Sequence, residues 1–352
     1  MDPILVGLLG IVALLVLLFL GVHIGMAMVI VGFIGCIFVT GGNVTAAMGY
    51  LKTVPFTTSA TFNLSVIPMF VLMGQIAYYA GISGDLYNFC YKVLGRIRGG
   101  LAVATIAACA GFAAICGSAT ATTATMGIVC LPEMEKYGYK DTLSCGAISA
   151  GGTLGILIPP STGFILYGTA AEVAVGKMFM AGLVPGIILG ICLMVCWRII
   201  VVHDKVDDTV RFTKEQIKHI LKDSLPALFM PILIIGGIRF GIFTPTEAGA
   251  FAVVYALAIS LFVYKEMKWK DLADVFLEGA KSTGIVMFIV ASASAVGWLI
   301  TVAQIPAKVV TLLAPLIAHP LALLLMINLF LFIMGMIMDL TPNILIFGPI
   351  LV

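Results

Sequence analysis

"GILIPPSTG", Gly155 to Gly163, lies inside an apolar segment that runs from about Leu143 to about Ala171 and carries almost no charge. The segment reads as a membrane helix, yet Pro159-Pro160 cannot continue one. Each proline lacks a backbone N–H and obstructs the carbonyl one turn earlier. Unwound backbone at membrane depth is tolerated only where it is buried in protein or lines a cavity. The fold must therefore place this break inside protein, and the break must have something to do.

The membrane assignment rests on composition. Of 352 residues, 61% are hydrophobic and only 10% are charged, against about 25% charged in a soluble domain. Apolar runs long enough for a ~30 Å hydrocarbon core recur along the whole chain. The longest clearly polar stretch is His203 to Asp223, which leaves no room for a soluble domain. The net charge of +2 carries no nucleic-acid signal. Met1-Asp2-Pro3 lacks the basic start of a secretory signal, so the first span is read as retained. The eight cysteines lie mostly in spans and show no metal-ligand spacing, which marks them as small packing residues. None of the four histidines stands within ligand spacing of another.

The expected fold is an all-α polytopic membrane protein. Spans are predicted at 4–20, 22–40, 61–80, 178–202, 224–242, 246–264 and 282–303, with amphipathic pieces after 40, over 83–98 and before 282. The broken segment covers 141–171. Stretch 100–135 is too long for one span and too short for two. It carries the polar cluster "CGSATATTAT" (Cys116–Thr125) at its middle, so it is read as a re-entrant hairpin with its tip at Gly117–Thr120. Charge supports that reading. With the N-terminus outside and the hairpin not crossing, 15 of the 19 Lys and Arg residues fall on or near the cytoplasmic side, a strong positive-inside bias. A single crossing would have inverted and largely cancelled it.

The order of elements then repeats at an offset of about 220 residues, with Gly99–Thr122 aligned on His319–Pro342. The first repeat is 1–205, a cytoplasmic connector is 206–223, and the second repeat is 224–352 with its hairpin at 320–352. Five crossings in the first unit place the second upside down. Inverted repeats with broken helices belong to secondary transporters. By symmetry, a second broken segment and a final span of roughly 70–80 residues would follow Val352.

Freed carbonyls and hydroxyls suit a hard cation, and half-helix N-termini suit a carboxylate. One Na⁺ site is therefore predicted at Gly117, Ser118, Thr120, Gly155, Pro159, Pro160 and Ser161. A symmetric one is predicted at Asp339, Thr341 and Asn343, since an acidic residue in a membrane segment is costly and usually functional. Thr122, Thr162 and Gln75 are candidates for the substrate path. "GIFTPTEAG" (Gly241–Gly249) is read as a capping box, with Thr244 the N-cap, Pro245 at N1 and Glu247 at N3. An intramembrane protease using Ser118 would need a partnered base in the membrane, and the histidines lie in loops or near span ends. A passive channel would not need duplicated sites.

"IPMFVLMGQIAYYAGI", "GGLAVATIAACAGFAAICGSATATTATMG", "LPEMEKYGY", "AGGTLGILIPPSTGFILYG", "FMAGLVPG" and "GIFTPTEAGA" resemble, in order and over essentially the whole chain, the large membrane subunit of the tripartite ATP-independent periplasmic (TRAP) transporters. The resemblance implies a Na⁺-coupled importer of small organic acids in a bacterial inner membrane. It implies two partners, a small four-span membrane subunit and a periplasmic substrate-binding protein. It also implies an elevator mechanism in which hairpins and broken helices move against a scaffold built from spans such as 4–20, 178–202 and 224–242. A stand-alone Na⁺-coupled anion symporter of similar architecture is the alternative, and co-purification with a small subunit separates the two.

Overall fold

The computed structural model describes residues 2–203, 213–317 and 319–351. Among them all regular structure is helical. The order is α1 (Pro3–Phe19), α2 (Ile24–Val39), α3 (Val44–Ser59), α4 (Val66–Tyr79), α5 (Ile82–Leu94), α6 (Gly100–Cys116), α7 (Ala119–Lys136), α8 (Asp141–Gly152), α9 (Leu154–Leu157), α10 (Thr162–Ala170), α11 (Val175–His203), α12 (Lys214–Arg239), α13 (Pro245–Ala258), α14 (Leu272–Val302), α15 (Ile305–Ile317), α16 (Pro320–Ile337) and α17 (Leu340–Leu351). Six described stretches are long and apolar enough to cross a membrane. Asp141–Leu157 with Thr162–Ala170 makes a seventh if the pair is one broken span. At 17 and 16 residues, α1 and α2 are apolar but sit at or just below the short end of the spanning range. The chain is a multi-pass, all-helical membrane protein.

The helices group into two compact units. One comprises Met1–Leu64, Leu166–Val173 and Thr283–Val352, and the other Ser65–Ile165 and Ala174–Ser282. Each draws on both predicted repeats. In the first, Val6, Leu14, Met28 and Val31 share a core with Val296, Leu299 and Ile300 of α14. Gly32 and Gly35 let α2 close on Ala295 and Leu299 without a β-carbon between them, the small-residue packing that replaces the hydrophobic drive inside a membrane. The amphipathic α3 is tied to α14 by the Tyr50 hydroxyl, which donates to Ser294 O at 3.0 Å, and by its ring on Trp298.

In the second unit α6 is the centre. Its sequence, GLAVATIAACAGFAAIC, is apolar all round and nearly every residue is buried, as expected for a helix with neighbours on every side. Ala and Gly keep its girth small, and Ile106, Ala113 and Ala114 pack with Leu154 and Ile158. Hydroxyl-to-carbonyl bonds lock the rest: Ser224 Oγ to Asp85 O (3.2 Å), Tyr255 OH to Pro226 O (2.9 Å) and Tyr264 OH to Asp223 O (2.9 Å).

The capping box is present as read. Thr244 Oγ1 accepts from Glu247 N at 3.3 Å, and Glu247 Oε2 accepts from Thr244 N at 2.8 Å. Thr244→Ala should lower the unfolding free energy by about 1 kcal/mol, read as a drop in Tm in detergent.

Several extents differ from the sequence reading. The loop over 203–223 and the connector over 206–223 are too long, because α12 begins at Lys214 behind a second capping box, Thr213 with Gln216. Residues 204–212 of that loop lie outside the described residues. The amphipathic piece before 282 is not separate: α14 starts at Leu272 and runs unbroken to Val302. The span at 246–264 changes from α to π geometry at Ile259. A 13-residue amphipathic helix, α15, was not anticipated. Its apolar face was too short to read as a span.

Candidate functional site

Hairpin 100–135 is two helices, α6 and α7, with only Gly117 and Ser118 between them. Ala119 and Thr120, expected at the tip, already belong to α7. Gly117 takes the left-handed conformation at φ +66° and its N–H closes α6 on Ala113 O at 2.9 Å. Ser118 is the N-cap of α7. Its Oγ accepts from Ala121 N at 3.4 Å and lies 3.1 Å from Thr120 Oγ1.

The broken segment stops after Leu157 and resumes at Thr162. Prolines at 159 and 160 leave the carbonyls of Gly155 and Ile156 without their helical donors. Ser161, itself 1% exposed, donates its Oγ–H to Ile156 O at 2.7 Å. No described backbone donor reaches Gly155 O.

Tip and break interlock. Thr162 donates both its N–H and its Oγ–H to Gly117 O, each at 3.2 Å. A β-carbon on Gly117 would stand 2.5 Å from Pro160 O, and one on Gly155 would stand 2.8 Å from Ser118 C and O. The structure thus brings Gly117, Ser118, Thr120, Gly155, Pro160, Ser161 and Thr162 into one constellation of backbone and hydroxyl oxygens. Thr162 ties tip to break. Thr122 is fully buried, and its Oγ1 lies beside the Cys116 thiol with no oxygen or nitrogen partner among the described residues. Half-buried Gln75 follows Gly74, whose β-carbon position is 3.3 Å from the Cα and O of Cys116, just before the tip.

The sequence reading missed two supports. Gly182 and Gly186 of α11 lie against Leu157 O, with β-carbon positions 2.9 and 3.2 Å from it. They hold the unwound strand from behind. Their four-residue spacing, continued at Gly190, was the available signal.

The second break falls at Met338-Asp339, between α16 and α17. Asp339 is exposed, Thr341 half-buried, and both Thr341 and Asn343 lie within α17. Asn343 Nδ2 donates to Met338 O at 3.1 Å, while its Oδ1 is buried without a partner among the described residues. The first residues of α7 and α17, Ala119 and Leu340, stand 221 positions apart, as do those of α2 and α13, Ile24 and Pro245. On that register Ser118 matches Asp339 and Thr122 matches Asn343. The two buried oxygens therefore occupy the same position, the fourth residue of the helix leaving each break.

The chemistry on offer is cation and anion coordination by neutral oxygens and half-helix ends. Among the described residues Ser118 Oγ meets Thr120 Oγ1 and Ala121 N, neither of them a base.

Residues 11–352 match the family model of the tripartite ATP-independent periplasmic transporter, DctM component. The chain is 40% identical over 291 residues to the 2,3-diketo-L-gulonate TRAP transporter large permease protein YiaN of Escherichia coli, covering 83% of this chain and 68% of that one. It is 39% identical over 295 residues to the C4-dicarboxylate TRAP transporter large permease protein DctM of Pseudomonas aeruginosa, covering 84% and 69%. It is 34% identical over 311 residues to the isethionate TRAP transporter permease protein DctMQ of Oleidesulfovibrio alaskensis, covering 86% and 48%. Matched to that model over residues 11–352 and to these permeases over most of its length, this chain belongs to the DctM component family of tripartite ATP-independent periplasmic transporters and is a transporter permease.

Proposed function

We propose that this permease drives the import of a small organic acid with Na⁺ across a bacterial inner membrane, by an elevator movement, with its N-terminus in the periplasm. Its partners on this reading are a small four-span membrane subunit and a periplasmic binding protein that delivers the substrate. The substrates in the names of the relatives, a C4-dicarboxylate, diketogulonate and isethionate, share a small anionic head. The observation that carries the reading is a pair of buried oxygens at matched positions beside two helix breaks, Thr122 Oγ1 and Asn343 Oδ1, neither with an oxygen or nitrogen partner among the described residues. An open acceptor in a dry interior is costly unless something binds it, and Na⁺ is a hard cation that takes oxygen ligands.

The test is uptake by the permease reconstituted in proteoliposomes with its small subunit and binding protein, with and without a Na⁺ gradient. Uptake indifferent to Na⁺ would sink the coupling. Within it, Thr120→Val should raise the Na⁺ concentration for half-maximal uptake about tenfold or more, the loss of one charge-assisted contact, with protein levels unchanged because Thr120 is exposed. Ser118→Ala should do the same and also lower Tm, because Ser118 caps α7. For topology, Gly138→Cys in a cysteine-free background should stay unlabelled by an impermeant periplasmic thiol reagent. Labelling there would remove the re-entrant reading of α6 and α7.

A further inference from the structure

We propose that the groove at the C-terminal end of α11 binds the phosphate of an anionic phospholipid. It is an open cavity of about 780 Å³ lined by Arg98, Val195, Arg198, Ile199, Val202 and His203. The turn before α6, "GRIRG", creates it. Gly99 takes φ +76°, and its β-carbon position rests 3.5 Å from Arg198 O and from Val201, so the turn lies directly on the last turns of α11. Arg98 then faces the same space as Arg198. Both are exposed, and among the described residues neither makes an ion pair with a carboxylate. Two guanidinium groups lining one groove offer the forked donors that match a phosphate.

The apolar half of the groove decides between a lipid and a free phosphate. Val195, Ile199 and Val202 follow an i, i+4, i+7 spacing and form one exposed stripe on α11. That helix is long and apolar enough to span the membrane. A ligand that fills both halves carries a phosphate at the basic end and a hydrocarbon chain along the stripe. Basic pockets at the ends of membrane helices recognise such head groups, and the positive-inside bias puts this one at the cytoplasmic surface.

The test uses the purified chain, delipidated in detergent, titrated with phosphatidylglycerol, phosphatidylcholine or inorganic phosphate while Tm is followed. Phosphatidylglycerol should raise Tm. Its apparent affinity should fall about tenfold in Arg98→Gln or Arg198→Gln and roughly a hundredfold in the double variant, the loss of one and two charge-assisted contacts. Ile199→Ser should weaken it without altering the charge. An unchanged phosphatidylglycerol curve in the double variant overturns the site. So does equal stabilisation by phosphatidylcholine, because the head-group charge would then not be read. Stabilisation by inorganic phosphate as strong as by phosphatidylglycerol overturns the lipid assignment in favour of a free anion.

Discussion

Gly117→Ala is expected to abolish uptake, with a loss of about a hundredfold or more, and to lower Tm. Two costs coincide there. An L-residue in the left-handed region costs about 1–2 kcal/mol, and Gly117 sits at φ +66°. The new β-carbon would also stand 2.5 Å from Pro160 O. That neighbour is backbone and cannot rotate away, so tip and break must part. Parting them strains the two bonds from Thr162 to Gly117 O, each worth about 1 kcal/mol. The combined cost of about 3 kcal/mol is a factor of roughly a hundred in the population of the assembled site. Gly138 supplies the control. It has φ +73° and nothing within 4 Å of its β-carbon position, so Gly138→Ala carries the conformational cost alone. It should lower Tm modestly and leave uptake per folded protein intact. Equal uptake by the two variants would mean that contact between tip and break is irrelevant to transport.

The parts of this fold legible in the sequence were those set by local chemistry. Pro159-Pro160 had to break a helix, and the structure breaks it there. Thr244, Pro245 and Glu247 could hardly do anything but start one. A Gly-Ser pair between two helix-forming runs had to turn. Parts set by tertiary contact were not legible. Nothing near Gly155 says that Ser118 will lie against it, and nothing near Gly182 points to Leu157 O. The start of α12 was hidden because Thr213 and Gln216 follow a charged run that reads as loop. The register is not uniform: the helices entering the two breaks, α6 and α16, start 220 positions apart, as the apolar runs align them, and those leaving, α7 and α17, start 221 apart. Aligning the chain by apolar runs set Thr122 against Pro342. Aligning the starts of the leaving helices sets it against Asn343, and only then do the two buried oxygens coincide.

That coincidence gives the second large effect, and its sign is unusual. Thr122 is buried, and its hydroxyl has no oxygen or nitrogen partner among the described residues; leaving such a group poorly satisfied costs about 1–3 kcal/mol. Thr122→Val keeps the shape and removes the burden. Without Na⁺ the variant should therefore be more stable than the parent, by about 1 kcal/mol or more. If the open acceptor exists to meet the ion, the same change should raise the Na⁺ concentration for half-maximal uptake ten- to a hundredfold, as expected for about 1.5–3 kcal/mol of lost contact. On the proposed coupling Na⁺ should raise the Tm of the parent, and the variant should lose most of that rise, because a ligand stabilises only what it binds. Asn343→Leu should shift the Na⁺ curve in the same direction without the gain in stability, since it also deletes the bond from Nδ2 to Met338 O. A hydroxyl that serves only as packing predicts the stability gain with the Na⁺ curve unmoved. One that contacts the substrate instead predicts a shift in the substrate concentration for half-maximal uptake at saturating Na⁺. Tm with and without Na⁺, together with both half-saturation values, separates these outcomes in the same two variants. A parent-like Na⁺ curve in both would leave the cation without its two best-placed ligands.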